Sequence, residues 1–330
     1  MAITANIERA YVNMFKAGYE QSFQQTEAKF RSYVDVVSQS SEFDFYDRVG
    51  LADDMNEVTT RYGDTPSNEV AHERRRIGLA DYDWGKGVDD KDLIRVAQDP
   101  TNAYTQAAVA AANRRIDSTI ISAITADSYI GKAGGTAVSF VDSLTDKISV
   151  GAISNENGNI TTAGDYRVVA GKEGIDINVD YQRGGAGANS NITMDKLMGI
   201  RETMLRLEAI EEGEDLHYFL APNQQTALLN ISQVTDSDFN SVRTLVNGTV
   251  TSFLGFQFHY TNLLPVSGTV RENYVLGSKA MKLAISKDID VDIFRRPDKK
   301  MIPWILIKLG LGCTRMWGEQ TARVYVDEAA

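Results

Sequence analysis

The chain holds one cysteine, Cys313, among its 330 residues. A single thiol makes no intrachain disulfide and cannot build a cysteine-based zinc site. Histidines number three, His72, His217 and His259, and none stands in a His-x-x-x-His or His-Glu-x-x-His arrangement. A serine or cysteine nucleophile would need one of them as its base, and no G-x-S-x-G elbow accompanies them. The bland reading of each is a surface or strand residue, with His72 on an exposed loop. Phosphate-binding loops are also missing. The pairs Gly85-Lys86, Gly131-Lys132 and Gly171-Lys172 lack the earlier glycine and the following Ser or Thr, and the run from Gly184 fails the dinucleotide pattern at its third glycine. Basic charge is in deficit: the net charge is -11, against what a dedicated nucleic-acid binder needs. No apolar run approaches the ~20 residues of a membrane span. The longest candidate, 302–311, is interrupted by Pro303, Lys308 and Gly310. The first ten residues show neither a basic nor an apolar region, so no secretory signal is expected.

What remains is an ordinary globular composition, 43% hydrophobic and 24% charged. The length gives room for two or three lobes, each with its own core. Residues 6–36 read as a helix with Tyr11, Phe15, Phe23 and Phe30 near one face. This is an arm that must pack on something else. Residues 57–98 are dense in charge and turn formers, with strand-like stretches near 57–62 and 76–84. A charged hairpin this poor in apolar residues cannot build its own core. Asp99 and Pro100 then open a long helix over 101–126, which would reach roughly 40 Å. Its stripe runs Ala107, Ala108, Ala111, Ile116, Ile120, Ile124, and glycines 131, 134 and 135 are expected to end it.

Residues 129–192 are rich in Gly, Ser, Thr, Asn and Asp and carry short β-type segments at 137–141, 147–152, 166–169 and 175–179, then a loop marked by Gly184, Gly185 and Gly187. Thr193 is placed to cap a helix over 194–212. A strand at 218–221, a helix at 223–230, a further helix at 238–246 and strands at 256–261 and 273–276 follow. The last fifty residues read as strands. Asp288, Asp290 and Asp292 alternate with Ile289, Val291 and Ile293, a half-buried strand. That row lacks the glycine a calcium loop requires after its third acidic position, so a solvated face is the better reading.

Arg74-Arg75-Arg76 is too short for a basic patch. Beside Glu69, Glu73 and Asp81 it reads as paired charge. Tyr82 and Trp84 are residue types that anchor protein interfaces.

The order of these features resembles one family. The segment from Arg61 to Asp117, with Gly63-Asp64-Thr65-Pro66, Arg74-Arg75-Arg76, Asp89-Asp90-Lys91-Asp92 and Asp99-Pro100-Thr101, is similar to the loop and spine helix of tailed-bacteriophage major capsid proteins. Phe253–Pro265 and Arg295–Lys300 sit where that family has similar strings. The resemblance implies the α+β fold shared by tailed-phage and herpesvirus shells. Its parts would be an N-terminal arm (1–56), an extended β-hairpin loop (57–98), a peripheral domain of long spine helix and sheet (99–136 and 278–330), and a mixed axial domain (193–277). Residues 137–192 would be an inserted β-rich lobe.

The resemblance further implies a non-enzymatic, cofactor-free subunit of a virion capsid, assembled in the host cytoplasm. Its partners would be itself, in pentamers and hexamers, with a separate scaffolding protein, a portal and a decoration protein. It would enclose double-stranded DNA without sequence-specific binding, and no membrane is involved. Inter-subunit contacts are expected from Glu69, Arg74, Arg75, Arg76, Tyr82, Trp84 and Lys86. Lys86, the sole lysine in 57–90, has no identifiable cross-linking partner, so a covalent link is not expected. Reversing charge at Arg75 and Arg76 is expected to weaken assembly while sparing the fold. Three alternatives stand beside this reading: a nanocompartment shell, a gene-transfer-agent capsid, and, from another class, an unrecognised enzyme or binding module.

Overall fold

The computed structural model describes residues 25–52, 55, 57, 63, 68, 70–88, 101–141, 152–154, 160–162, 172–182, 185–186, 188–211, 213–231 and 251–329. The expected stretches at 6–24, 58–62, 147–151, 166–169 and 238–246, and the helix start at Asp99-Pro100, lie outside them. The fold is α+β, with three α-helices and several sheets among the described residues. The chain divides into two units of three stretches each. One takes 1–27, 81–115 and 287–310; the other takes 28–80, 116–286 and 311–330. The helix Thr101–Thr125 and the strands Met281–Arg296 and Ile302–Arg315 contribute to both.

In the first unit, Met281–Arg296, Ile302–Arg315 and Ala80–Gly87 lie side by side in that order. Alternation sorts the central strand: Ile305, Ile307 and Leu309 are buried and Lys308 is exposed. Trp304 is accommodated by two glycines. A Cβ on Gly85 would come within 2.9 Å of the indole nitrogen, and one on Gly87 within 2.9 Å of the ring and 2.8 Å of Ile302. Pro303 is tolerated because its carbonyl is what the ladder uses, accepting from the Val88 N–H at 3.0 Å. The turn between the long strands holds Lys300 and Met301 at positive φ, with the Met301 N–H closing on the Arg296 carbonyl. The alternation read at 288–293 holds for Ile289 and Val291, both half-buried, and fails at Ile293, which is 55% exposed close to that turn.

The second unit is built on a seven-stranded mixed sheet. Its order is Ile175–Ile177, Thr321–Asp327, Val270–Leu276, Leu216–Leu220, Phe256–Tyr260 and Ser252–Phe253, with Val266–Ser267 paired beside Val270–Leu276. The first pair and the pair Leu216–Leu220 with Phe256–Tyr260 are parallel. Period-two alternation divides one strand between two faces. Leu216, Tyr218 and Leu220 join Phe256 and Phe258 in a core with Leu197, Ile200 and Met204 of the helix Met194–Arg206 and Leu228 of the helix Pro222–Asn230. His217 and Phe219 face the other way, where Tyr33 and Phe30 pack on them. Thr193 caps its helix, accepting from the Lys196 N–H. That helix stops at Arg206, short of the expected 212, because Glu208 turns into the left-handed region (φ 52) and Ile210 reaches the core from irregular backbone.

The expected arm helix does not extend to residue 36. A short turn, Arg31–Tyr33, leads into the strand Asp35–Ser38, which pairs in parallel with Lys282–Ile285. Two tertiary interactions displace the helix. Asp117 accepts the N–H groups of Lys29 and Phe30, both at 2.9 Å, and Phe30 stacks on Phe219 at 3.8 Å. Val34, Val36 and Val37 also favour extended backbone.

The same unit carries a five-stranded sheet in the order Phe43–Ala52, Val70–Gly78, Ser128–Ile130, Thr136–Phe140 and Lys172–Glu173. Gly312 passes so close behind it that a Cβ would lie 2.1 Å from the Gly78 carbonyl oxygen.

Candidate functional site

The segment containing Arg74, Arg75 and Arg76 is the strand Val70–Gly78, so His72 lies on a strand and not on a loop. Its hairpin partner is Phe43–Ala52, antiparallel, with Phe45 opposite Arg76 and Asp47 opposite Arg74. This corrects the single strand expected at 76–84, which is divided between two strands; the stretch expected at 57–62 lies almost wholly outside the described residues. The break falls at Gly78-Leu79, where the Leu79 N–H turns back to the Glu42 carbonyl and the next strand, Ala80–Gly87, begins.

Strand alternation then gives the three arginines two fates. Arg74 and Arg76 point to an open face. Arg74 makes an ion pair with Asp47 at 2.6 Å and lies 5.8 Å from the Phe45 ring. The Arg76 guanidinium sits over Phe43 at 5.0 Å and over Tyr129 at 4.8 Å. Phe43, Phe45, Val49 and Tyr129 are between 37% and 54% exposed. Aromatic rings and guanidiniums therefore share one solvent-facing sheet surface, a composition enriched at protein interfaces.

Arg75 points inward and is 1% exposed. Its guanidinium grips both oxygens of Glu173, at 2.7 and 2.6 Å. The same carboxylate accepts from the Arg315 Nε at 2.8 Å. Arg315 also donates to the carbonyls of Ile124, Ala126 and Val138. Arg315 thus caps the end of the long helix through the carbonyls left open there. The glycines expected to end that helix serve instead in the turn between Ser128–Ile130 and Thr136–Phe140, where the Gly134 N–H closes on Gly131. Burial pushes the Glu173 carboxyl up, but its two arginine partners more than offset this and hold it below the usual carboxylate range. Charge reversal at Arg75 would leave an anion facing buried Glu173. The expectation that reversal there spares the fold is therefore corrected, and Arg74 and Arg76 are the positions where charge is open to a partner.

Tyr82, Trp84 and Lys86 lie on Ala80–Gly87 in the other unit. Tyr82 and Trp84 are half-buried, with the Arg115 guanidinium 4.1 Å from the Tyr82 ring, and Lys86 is exposed. Glu69 lies outside the described residues. The sequence reading missed Phe43, Phe45 and Asp47, although their alternation with polar neighbours carries a strand signal. It also missed Glu173 and Arg315, where the signal is an arginine inside the apolar run Leu309–Met316. Among the described residues no three His, Cys, Asp or Glu side chains converge as metal ligands would.

No curated protein matches this chain. Solved structures do. The capsid protein of cyanophage P-SCSP1u superposes with a TM-score of 0.69 at 12% identity, over 97% of this chain and 94% of that one. That of cyanophage Pam1 gives 0.67 at 12%, over 97% and 98%. The capsid of a native GTA particle gives 0.63 at 13%, over 99% of both chains. At such identities the likeness establishes the fold, the one capsid proteins use. The sequence itself matches the phage capsid protein family over residues 7–328. With the open aromatic–arginine face and that fold, the match along nearly the whole chain means that this protein belongs to the phage capsid protein family and is a major capsid subunit of a virion shell.

Proposed function

We propose that identical copies form rings of five and six that close into an icosahedral shell around double-stranded DNA, held without sequence recognition. The family match over residues 7–328 carries this reading. Closed symmetry multiplies modest contacts, and a wall of net charge -11 resists adhesion to phosphate. Assembly takes place in the host cytoplasm with a separate scaffolding protein and a portal, and a decoration protein binds the outside. The chain performs no catalysis and needs no cofactor. In this reading the chain before Phe43 is an arm, and the hairpin of Phe43–Ala52 and Val70–Gly78 takes the place first given to 57–98 and is laid over a neighbour. Residues 99–136 with 278–315 belong to the peripheral domain, and 193–277 with the strands Ile175–Ile177 and Thr321–Asp327 to the axial domain. Arg74, Arg76, Tyr82, Trp84, Lys86 and Glu69 contact neighbours, setting register more than strength.

A second reading, a gene-transfer-agent capsid, is favoured by the GTA particle match over 99% of both chains. Sequencing the DNA inside native particles separates the two: one repeated genome supports a virus, random host fragments a transfer agent. Shell formation itself is tested by expressing the chain with and without the scaffolding protein of its gene neighbourhood and imaging the high-mass fraction by negative-stain electron microscopy. Closed shells or ring-shaped capsomers are expected. A monomer under both conditions would overturn the proposal.

A further inference from the structure

Between the chain's N-terminal segment and the seven-stranded sheet sits a cluster that shell building does not account for. Tyr33 lies on two imidazoles at once, with ring centroids 4.2 Å from His217 and 4.2 Å from His259. The two histidines come from the adjacent parallel strands Leu216–Leu220 and Phe256–Tyr260, and His217 Nδ1 stands 3.2 Å from His259 Nε2. We infer that His217, His259 and Tyr33 form an acid-released latch holding the segment 29–33 against the sheet.

The chemistry follows from the nitrogen pair. At neutral pH one ring donates its N–H and the other accepts, so one hydrogen bond closes the pair. A first added proton can be carried by the pair, since a cationic ring still has a neutral acceptor and the Tyr33 ring tolerates a cation beside it. A second proton cannot. Both facing nitrogens would then carry hydrogens, and two cations would meet at hydrogen-bonding distance beneath Tyr33.

The surroundings sharpen this. On the N-terminal segment, Lys29 donates from Nζ to the Tyr260 carbonyl, and Arg31 adds a second cation. Asp215, ahead of the first strand, is the anion that favours a charged His217; it accepts from Gln257 at 2.7 Å. From the neighbouring strand Val270–Leu276, Leu276 faces His217 and Tyr274 faces Phe219, and the Tyr274 hydroxyl donates to Glu272. Asp117 of the long helix holds the segment through the Lys29 and Phe30 N–H groups. Asp35 follows the segment, paired with Lys282 at 2.5 Å.

Burial depresses both histidines, and the Coulombic effects of His217 and Lys29 add to it at His259, which falls to about 4. The two titrate as a coupled pair. The sign is that of a depressed folded-state value: docking is complete above the ordinary 6.5 and is lost as pH falls toward about 4.

The test uses the full-length chain and hydrogen–deuterium exchange of its peptides, corrected for intrinsic rates, at about pH 7.5 and about pH 4.5. The amides of 29–33 are expected to lose protection by about tenfold or more on acidification while those of 216–220 keep theirs. The double variant His217→Asn, His259→Gln should abolish that loss. Retained protection in the wild type, or an equal acid loss in the double variant, overturns the latch, the latter assigning release to Asp117. If the double variant does not fold, NMR titration of the wild-type imidazoles decides. Two rings titrating independently near their ordinary value refute the inference, and a coupled pair with one strongly depressed step supports it.

Discussion

Glu173 is the residue on which the interior of the second unit depends. It neutralises two buried guanidiniums, Arg75 and Arg315, that are 1% and 0% exposed. Removing one member of a buried ion cluster strands the rest, at a cost of about 3–5 kcal/mol. Glu173→Gln should lower the urea midpoint of isolated subunits by a corresponding amount without changing the slope. Because the Glu173 carboxyl is depressed from 4.5 in the folded state, its contribution is present above that value. It is lost as pH falls through the folded value, so the wild-type advantage over the variant should shrink in strong acid. Lys196 is a second buried cation, 0% exposed, whose ammonium donates to the carbonyls of Val179, Ser190, Asn191 and Tyr325 at 2.8–3.2 Å. Burial lowers it to about 8, which leaves it mostly charged at neutral pH. Lys196→Met keeps the stem and removes the ammonium's bonds, while the Val179 and Ser190 carbonyls retain the N–H groups of Ser190 and Asp327. A loss of about 1–3 kcal/mol is expected, read by thermal or urea unfolding.

Elements in this protein are shaped by what lies against them. The strand Ala80–Gly87 carries two glycines, poor strand formers, because Trp304 fills the space where their side chains would be. Gly87→Val should destabilise by about 1–3 kcal/mol through overpacking, although valine is the better strand residue. Trp304→Leu should relieve much of that penalty in the double variant, and a double-mutant cycle measures the coupling. The long helix ends by the same logic: Arg315 satisfies its terminal carbonyls from a distant strand.

At the scale of the whole molecule, the two faces of the hairpin Phe43–Ala52 with Val70–Gly78 separate folding from assembly. The inner face ends in the Arg75–Glu173 pair and the outer face is open. Reversing Arg74 and Arg76 to glutamate should leave the melting temperature of the subunit within the range of an ordinary surface change, about 1 kcal/mol or less. It should reduce particle yield in the electron-microscopy assay. Normal yield would remove this face from the assembly surface. Yield in the wild type should also depend on ionic strength if these charges guide docking.

The sequence by itself determined the class of protein and much of its element order. Residue periodicity located the long helix, the Thr193-capped helix and the C-terminal strands, because a period of 3.6 or 2 is written locally. Ordered strings such as Arg74-Arg75-Arg76 and Asp99-Pro100-Thr101 carried the capsid resemblance. Tertiary structure alone decided the rest. No local pattern states that Ile175–Ile177 lies parallel to Ala322–Val324, or that Phe43–Ala52 is the hairpin partner of Val70–Gly78. Nor does one state that Asp117 unwinds the expected arm helix at Lys29 and Phe30. Two adjacent arginines, identical in the sequence, became a core ion and a surface cation because a strand turns successive side chains to opposite faces. Which face is buried depends on Glu173, 98 residues away. Pairing energies between distant residues are invisible to a reading along the chain, and they assigned each side chain its role.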